Sequence, residues 1–130
     1  LSAADLAGKR VLVAEDEFLV VMLFEEILDK LACRMVGPFA TVANALAAVR
    51  DAAMEIDIAV LDVNLRGQKI YPVAEALDAR GIPFVLVSGY GRGAVPPDRP
   101  HWTVCPKPFN ADELVKKLTD ASLARRSCHT

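Results

Sequence analysis

The chain lacks the features that would place it outside a reducing compartment, in a membrane or on a nucleic acid. It has only three cysteines, Cys33, Cys105 and Cys128, an odd number that matches no zinc-ligand or redox spacing. Free thiols in a reducing cytoplasm are therefore expected. It has no excess of basic residues: 15 Lys and Arg stand against 17 Asp and Glu, a formal charge of -2, which argues against a nucleic-acid-binding surface. The longest unbroken apolar run, Phe18 to Phe24, is far short of the roughly 20 residues a membrane span needs. No basic segment followed by an apolar one opens the chain, so no secretory leader is expected. There are no internal repeats and no low-complexity linkers, and 130 residues suit a single domain over 1–130, with a core at about 9–124.

What the chain does have is apolar residues, 53% of the total, arranged in short runs that stop abruptly in polar groups. Arg10 to Ala14 ends in Glu15-Asp16-Glu17. Cys33 to Gly37 is a shorter run before Pro38. Ile56 to Leu61 ends in Asp62, Phe84 to Val87 in Ser88-Gly89-Tyr90-Gly91, and Trp102 to Cys105 in Pro106-Lys107-Pro108-Phe109. Runs this short and this apolar read as strands of a parallel sheet buried on both faces.

Between them lie helical patterns. Phe18 to Leu31 repeats Val20, Phe24, Ile27, Leu28 and Leu31 on one face, with Glu25, Glu26, Asp29 and Lys30 away from it. Phe18 and Met22 fall off that stripe, so either the first turn tucks under a neighbouring loop or these residues dock a partner. Thr41 is a plausible N-cap for a helix burying Val42, Ala45, Leu46, Val49 and Ala53. Tyr71 to Ala79 begins near Pro72, which suits a first helical turn. Asn110 with Glu113 makes a capping-box-like pair opening a last helix that buries Leu114, Val115, Leu118 and Ala121, and Ala124 to Thr130 reads as a frayed tail. Gly91 to Pro100 contains Pro96 and Pro97 and suits one turn or an ordered loop rather than a long helix. Five alternating units of this kind predict a doubly wound α/β fold: a five-stranded parallel sheet with helices on both faces and a fourth helix that is short or irregular.

In such a sheet the strand ends share one edge, where open α/β folds place their ligands. Glu15, Asp16 and Asp62 would meet there and repel one another unless a cation joins them. Mg²⁺, or Mn²⁺ in its place, suits oxygen ligands of this kind. Ser88 and Lys107 could then surround a phosphoryl group, and Asp62, midway between the acid pair and the Ser/Lys side, is the natural covalent acceptor. Each residue also has a local explanation: the acids could favour a helix N-terminus, Ser88 could be a turn hydroxyl and Lys107 a surface charge. Their joint occurrence at four strand ends favours the phosphoryl site.

The segments Val11-Leu12-Val13-Ala14-Glu15-Asp16-Glu17, Leu61-Asp62-Val63-Asn64-Leu65, Val87-Ser88-Gly89-Tyr90 and Lys107-Pro108-Phe109 resemble the receiver domain of bacterial two-component response regulators, over nearly the whole chain. Asp62-Val63-Asn64-Leu65-Arg66-Gly67, Gly81-Ile82-Pro83-Phe84 and Ser88-Gly89-Tyr90-Gly91 are similar to the single-domain receivers of alphaproteobacteria. The resemblance implies a flavodoxin-like strand order, 2-1-3-4-5. It also implies that Asp62 accepts a phosphoryl group from a sensor histidine kinase, including the HWE type, or from a histidine phosphotransfer protein. Asp16, Asp62 and the Asn64 backbone carbonyl would hold Mg²⁺, with Glu15 assisting directly or through water. Ser88 and Lys107 would contact phosphoryl oxygens, and Lys107–Pro108 would be cis.

Two departures from that family bear on signalling. The position three before Lys107, often aromatic, is Val104, and Trp102 lies on the same strand face as Val104. The fourth crossover carries Pro96 and Pro97. Tyr90 is therefore the candidate moving aromatic, in the loop after Ser88. Two other readings compete. A phosphatase of the haloacid dehalogenase type would need an acid where Asn64 stands, and a receiver-like interaction module that is never phosphorylated would need none of the acids or Lys107. The expected protein is a cytoplasmic phosphoacceptor rather than an enzyme acting on other substrates, with a homodimer left open.

Overall fold

The computed structural model describes residues 3–128. A five-stranded parallel sheet runs in the order β2-β1-β3-β6-β7. Its strands are β1 (Arg10–Ala14), β2 (Arg34–Phe39), β3 (Ile58–Asp62), β6 (Phe84–Ser88) and β7 (Thr103–Pro106). Between β3 and β6, a small antiparallel hairpin forms from β4 (Asn64–Leu65) and β5 (Gln68–Lys69). The order among the sheet strands is the expected 2-1-3-4-5.

Alternation along each strand divides the core. Val11, Val13, Ile58, Val60, Val85, Val87 and Cys105 face α1 (Phe18–Lys30) and α4 (Ala111–Cys128). Leu12, Ala14, Ala59, Leu61, Phe84, Leu86, Trp102 and Val104 face α2 (Val42–Arg50) and α3 (Tyr71–Ala79). Because helices cover both faces, β1, β3 and β6 carry no polar side until their ends, which is why their sequences are continuously apolar. Trp102 shares its core with Val104, as the strand alternation requires.

Several boundaries differ from the sequence expectation. β2 does not stop at Gly37 but continues through Pro38 to Phe39. It is an edge strand, where a residue without an amide proton is tolerated. Gly37 has φ +108, and a Cβ there would lie 3.0 Å from the Val13 carbonyl oxygen, so only glycine fits the approach to β1. β3 begins at Ile58 rather than Ile56 and includes Asp62, and Trp102 immediately precedes β7. α2 ends at Arg50, leaving Ala53 exposed. There the Asp51 side chain accepts from the Ala53 amide and turns the chain. On α1 the buried stripe is Val21, Phe24, Ile27 and Leu28, with Val20 only half-buried. The expected frayed tail is helical from Ala124 to Cys128, and its last residues, 129 and 130, lie outside the described ones. The lead-in contains a 3-10 turn, Ala3–Leu6, whose Leu6 is buried beneath α4.

The fourth crossover is a strap rather than a helix, as its prolines predict. One 3-10 turn, Gly91–Ala94, is followed by extended Val95 and a turn through Pro96–Arg99. The Tyr71 hydroxyl donates to the Ala94 carbonyl, and the Arg92 guanidinium donates to the Trp102 and Pro100 carbonyls, each at 2.7 Å. Arg99 pairs with Glu75 of α3 at 2.8 Å.

Candidate functional site

Register brings the polar strand ends together. Ala14 lies opposite Leu61, Asp62 opposite Val87 and Ser88 opposite Pro106. Neighbouring strands lie roughly 4.8 Å apart, so Glu15, Asp62, Ser88 and Lys107 come from consecutive positions across one edge. Asp62, Ser88 and Lys107 border a cleft of about 290 Å³, lined also by Asp16, Glu17 and Asn64, among others.

Asp62 is 5% exposed, and both its oxygens are held. Oδ1 accepts from the Asn64 amide at 3.0 Å, and Oδ2 accepts from Lys107 Nζ at 3.0 Å. The carboxylate is therefore fixed in orientation at the base of the cleft. Burial works against the Lys107 ammonium, but its hydrogen bond to Asp62 and the negative charges of Asp62, Glu15 and Glu17 outweigh it and hold its pKa above the ordinary lysine range. The Lys107–Pro108 peptide is cis.

Glu15 is the more unusual acid. It is 1% exposed, and its Oε2 accepts from the Asp16 and Glu17 amides at 3.0 and 3.2 Å. Its Oε1 has no hydrogen-bond partner when ionised. Burial first, then the charge of Asp62, push its pKa up to about 8, against the opposing pull of the Glu17 amide and Lys107. A protonated Glu15 can donate to Asp62.

Asp16 is exposed, and its Oδ2 accepts from the Arg66 amide at 3.2 Å. Glu15, Asp16 and Asp62 each offer an oxygen, all within 4.8 Å of one another. Hard donors of one kind, with one buried oxygen left unsatisfied, fit a small hard divalent cation better than they fit one another. Asn64 follows at the cleft wall, with its side-chain oxygen accepting from Lys69 Nζ at 2.8 Å. Ser88 is buried, and its Oγ accepts from the Tyr90 amide at 3.0 Å. Tyr90 itself is 75% exposed at the cleft rim.

Sequence reasoning missed the hairpin that forms one wall of the cleft. Glu17, Arg66 and Gly67 line the cleft as well, and the Arg66-Gly67 pair ahead of Gln68 was the available turn signal. Phe18 and Leu19 are 74% and 77% exposed, and Met22 and Leu23 are also exposed. The first turns of α1 are therefore not tucked under a loop.

A cleft with a fixed aspartate, a hydroxyl, a lysine and an acid pair at the carboxyl edge of a 2-1-3-4-5 sheet is the arrangement of the receiver class. Comparison with solved structures places the chain within it: this chain belongs to the receiver domains of response regulators. It is 44% identical to SdrG from Sphingomonas melonis Fr1, whose solution structure matches 95% of this chain and 99% of that one with a TM-score of 0.75. The BeF3-activated conformation of SdrG from Pseudomonas melonis Fr1 matches at 44% identity over 89% and 98% of the two chains, with a TM-score of 0.72. A CheY-like receiver domain protein from Methanospirillum hungatei JF-1 shares the fold at 18% identity, over 93% and 98%, with a TM-score of 0.74. No protein-family model matches the chain, and no curated protein does. Among the described residues, no helix is long and apolar enough to cross a membrane.

Proposed function

We propose that the protein is a cytoplasmic response regulator that accepts a phosphoryl group on Asp62 and signals through the strap after β6. The observation that carries this reading is the fixed Asp62 carboxylate, held by Lys107 and the Asn64 amide beside a buried, half-satisfied Glu15. In the transfer, an Asp62 oxygen attacks phosphorus and a P–O bond forms. The P–N bond to the donor histidine breaks, and its electron pair stays on the imidazole nitrogen. Lys107 and Ser88 neutralise and orient the phosphoryl oxygens as charge builds on them. Glu15, Asp16, Asp62 and the Asn64 carbonyl would hold Mg²⁺ or Mn²⁺, which when bound supplies positive charge to the same oxygens.

The donor is a sensor histidine kinase, of the HWE type or another, or a histidine phosphotransfer protein. Any protein carrying a phosphohistidine to Asp62 must cover the cleft mouth. The exposed Phe18, Leu19, Met22 and Leu23 at the start of α1 and Tyr90 across the rim supply apolar contact for it. On phosphorylation Ser88 turns towards the phosphoryl group and draws on the Tyr90 amide, so the strap re-orders with Tyr90 as its moving aromatic. The exposed strap then presents the output to a downstream protein.

The test is incubation with acetyl phosphate or phosphoramidate, followed by intact mass and peptide mapping. One phosphoryl group is expected on Asp62, dependent on Mg²⁺ and absent in Asp62→Asn. A label that survives that substitution would rule the reading out.

A further inference from the structure

Arg66 is placed in the cleft in a way that turn formation alone does not explain. It has φ 48 and is followed by Gly67 at φ 82, so both central residues of the β4–β5 hairpin turn are left-handed. Turns of that type favour Asn, Asp or Gly at the first position, because a longer side chain with a Cβ is strained there. The other described non-glycine residue with positive φ is Ala32, which follows the C-terminal cap of α1, where a left-handed residue is ordinary. The hydrogen bond that Arg66 makes is its backbone amide to Asp16 Oδ2. An Asn or Gly would give the same turn and the same amide. What arginine adds is the guanidinium, which has no partner among the described residues.

The charge around it gives that guanidinium a use. Asp16, Glu17 and Asp62 line the cleft, with Glu15 buried beside them, and Arg66 and Lys107 are the cations among the lining residues. Lys107 is already committed to Asp62 at 3.0 Å. A phosphoryl donor, itself an anion, must approach this group of carboxylates to reach Asp62. Arg66 lines the cleft at the hairpin wall, while Lys107 comes from the far end of the edge, after β7.

We infer that Arg66 is a phosphodonor-binding residue: its guanidinium draws the incoming phosphoryl group to the cleft mouth and orients it for Asp62. Guanidinium suits this role because its donors match phosphoryl oxygens in pairs. This inference deepens the proposed function and rests on it.

The experiment compares wild type, Arg66→Asn and Arg66→Lys with phosphoramidate and Mg²⁺, following aspartyl phosphate by intact mass. Arg66→Asn should lower the rate at low donor concentration about tenfold, mainly by raising the half-saturating concentration, and should flatten the dependence on ionic strength. Its thermal midpoint should equal or exceed that of wild type, because Asn suits the turn, and its Mg²⁺ affinity should hold or tighten as a positive charge leaves. Arg66→Lys should recover part of the rate. A rate for Arg66→Asn within twofold of wild type overturns the inference. So does a fall in thermal midpoint that accounts for the slower rate. If wild type takes up no phosphoryl group on Asp62, the proposed function fails and this inference fails with it. Equal rates in wild type and variant defeat the role of Arg66 alone.

Discussion

The Tyr90 amide donates a 3.0 Å hydrogen bond to Ser88 Oγ, which ties a residue facing solvent to a hydroxyl buried in the cleft beside Asp62. The hydroxyl can accept from Tyr90 while donating its own proton to a phosphoryl oxygen, but turning to do so pulls on the amide. Adding beryllofluoride and Mg²⁺ should therefore shift the amide resonances of Tyr90 and of residues 91–95. In Ser88→Ala those shifts should fall by more than half, and in Ser88→Thr they should persist. Unchanged spectra in wild type would show that the signal leaves by another route.

The strap has strong and weak anchors. Arg92 donates two charged hydrogen bonds at 2.7 Å to the carbonyls of Trp102 and Pro100, and the Trp102 side chain is buried. Bonds to charged groups contribute roughly 1.5–3 kcal/mol when buried and less near water. Arg92→Ala should thus destabilise the fold by about 1–2 kcal/mol in urea unfolding. Arg99–Glu75 is an exposed, solvent-screened ion pair, so Arg99→Ala should destabilise clearly less than Arg92→Ala, even with the loss of its stacking over Trp102 at 5.8 Å. An ordering of the two variants opposite to this would show that the strap hangs on its outer pair.

Glu15 gives the metal-free protein a distinctive pH dependence. Its pKa rises from an ordinary 4.5 to about 8, first by burial and then by the charge of Asp62. The native state therefore holds a proton that the unfolded chain has released over that interval. Stability falls as pH rises from about 4.5 to about 8, the reverse of a salt-bridged carboxylate. At pH 8 the accumulated loss is on the order of a few kcal/mol. Glu15→Gln should remove most of that slope and be the more stable protein at pH 8. Denaturation midpoints with EDTA across this interval check it, and a slope that persists in Glu15→Gln would assign the proton to another group.

Much of this site was legible because it lies where strands stop. Glu15, Asp62, Ser88 and Lys107 each follow an apolar run, and a parallel sheet aligns the ends of such runs whatever the loops do. The strap was legible too, since Pro96 and Pro97 exclude a long helix. The β4–β5 hairpin was not, because two-residue strands have no periodicity to detect. The α2 boundary was missed for a related reason: alanines at positions 47, 48, 52 and 53 favour helix all through the segment, and only the Asp51 side chain, bonded to the Ala53 amide, ends it. Glu15's unsatisfied oxygen is a tertiary fact that no pattern in the sequence encodes.

The large apolar side chains exposed among the described residues are Phe18, Leu19, Met22, Leu23 and Tyr90. The first four cover the two opening turns of α1, directly after the acid pair, and Tyr90 lies on the opposite rim. Since they are exposed, replacing them removes little buried area. Leu19→Ser with Met22→Ser should leave stability within about 0.5 kcal/mol per site, and phosphorylation by phosphoramidate, which needs no protein surface, should be unchanged. Transfer from a phosphorylated histidine protein should slow at least tenfold, because a protein donor must cover the cleft mouth beside this patch for its histidine to reach Asp62. Parallel rates with the small and the protein donor separate docking from chemistry. Equal slowing with both would place these residues in the site rather than on its approach, and no slowing with the protein donor would move the docking surface elsewhere.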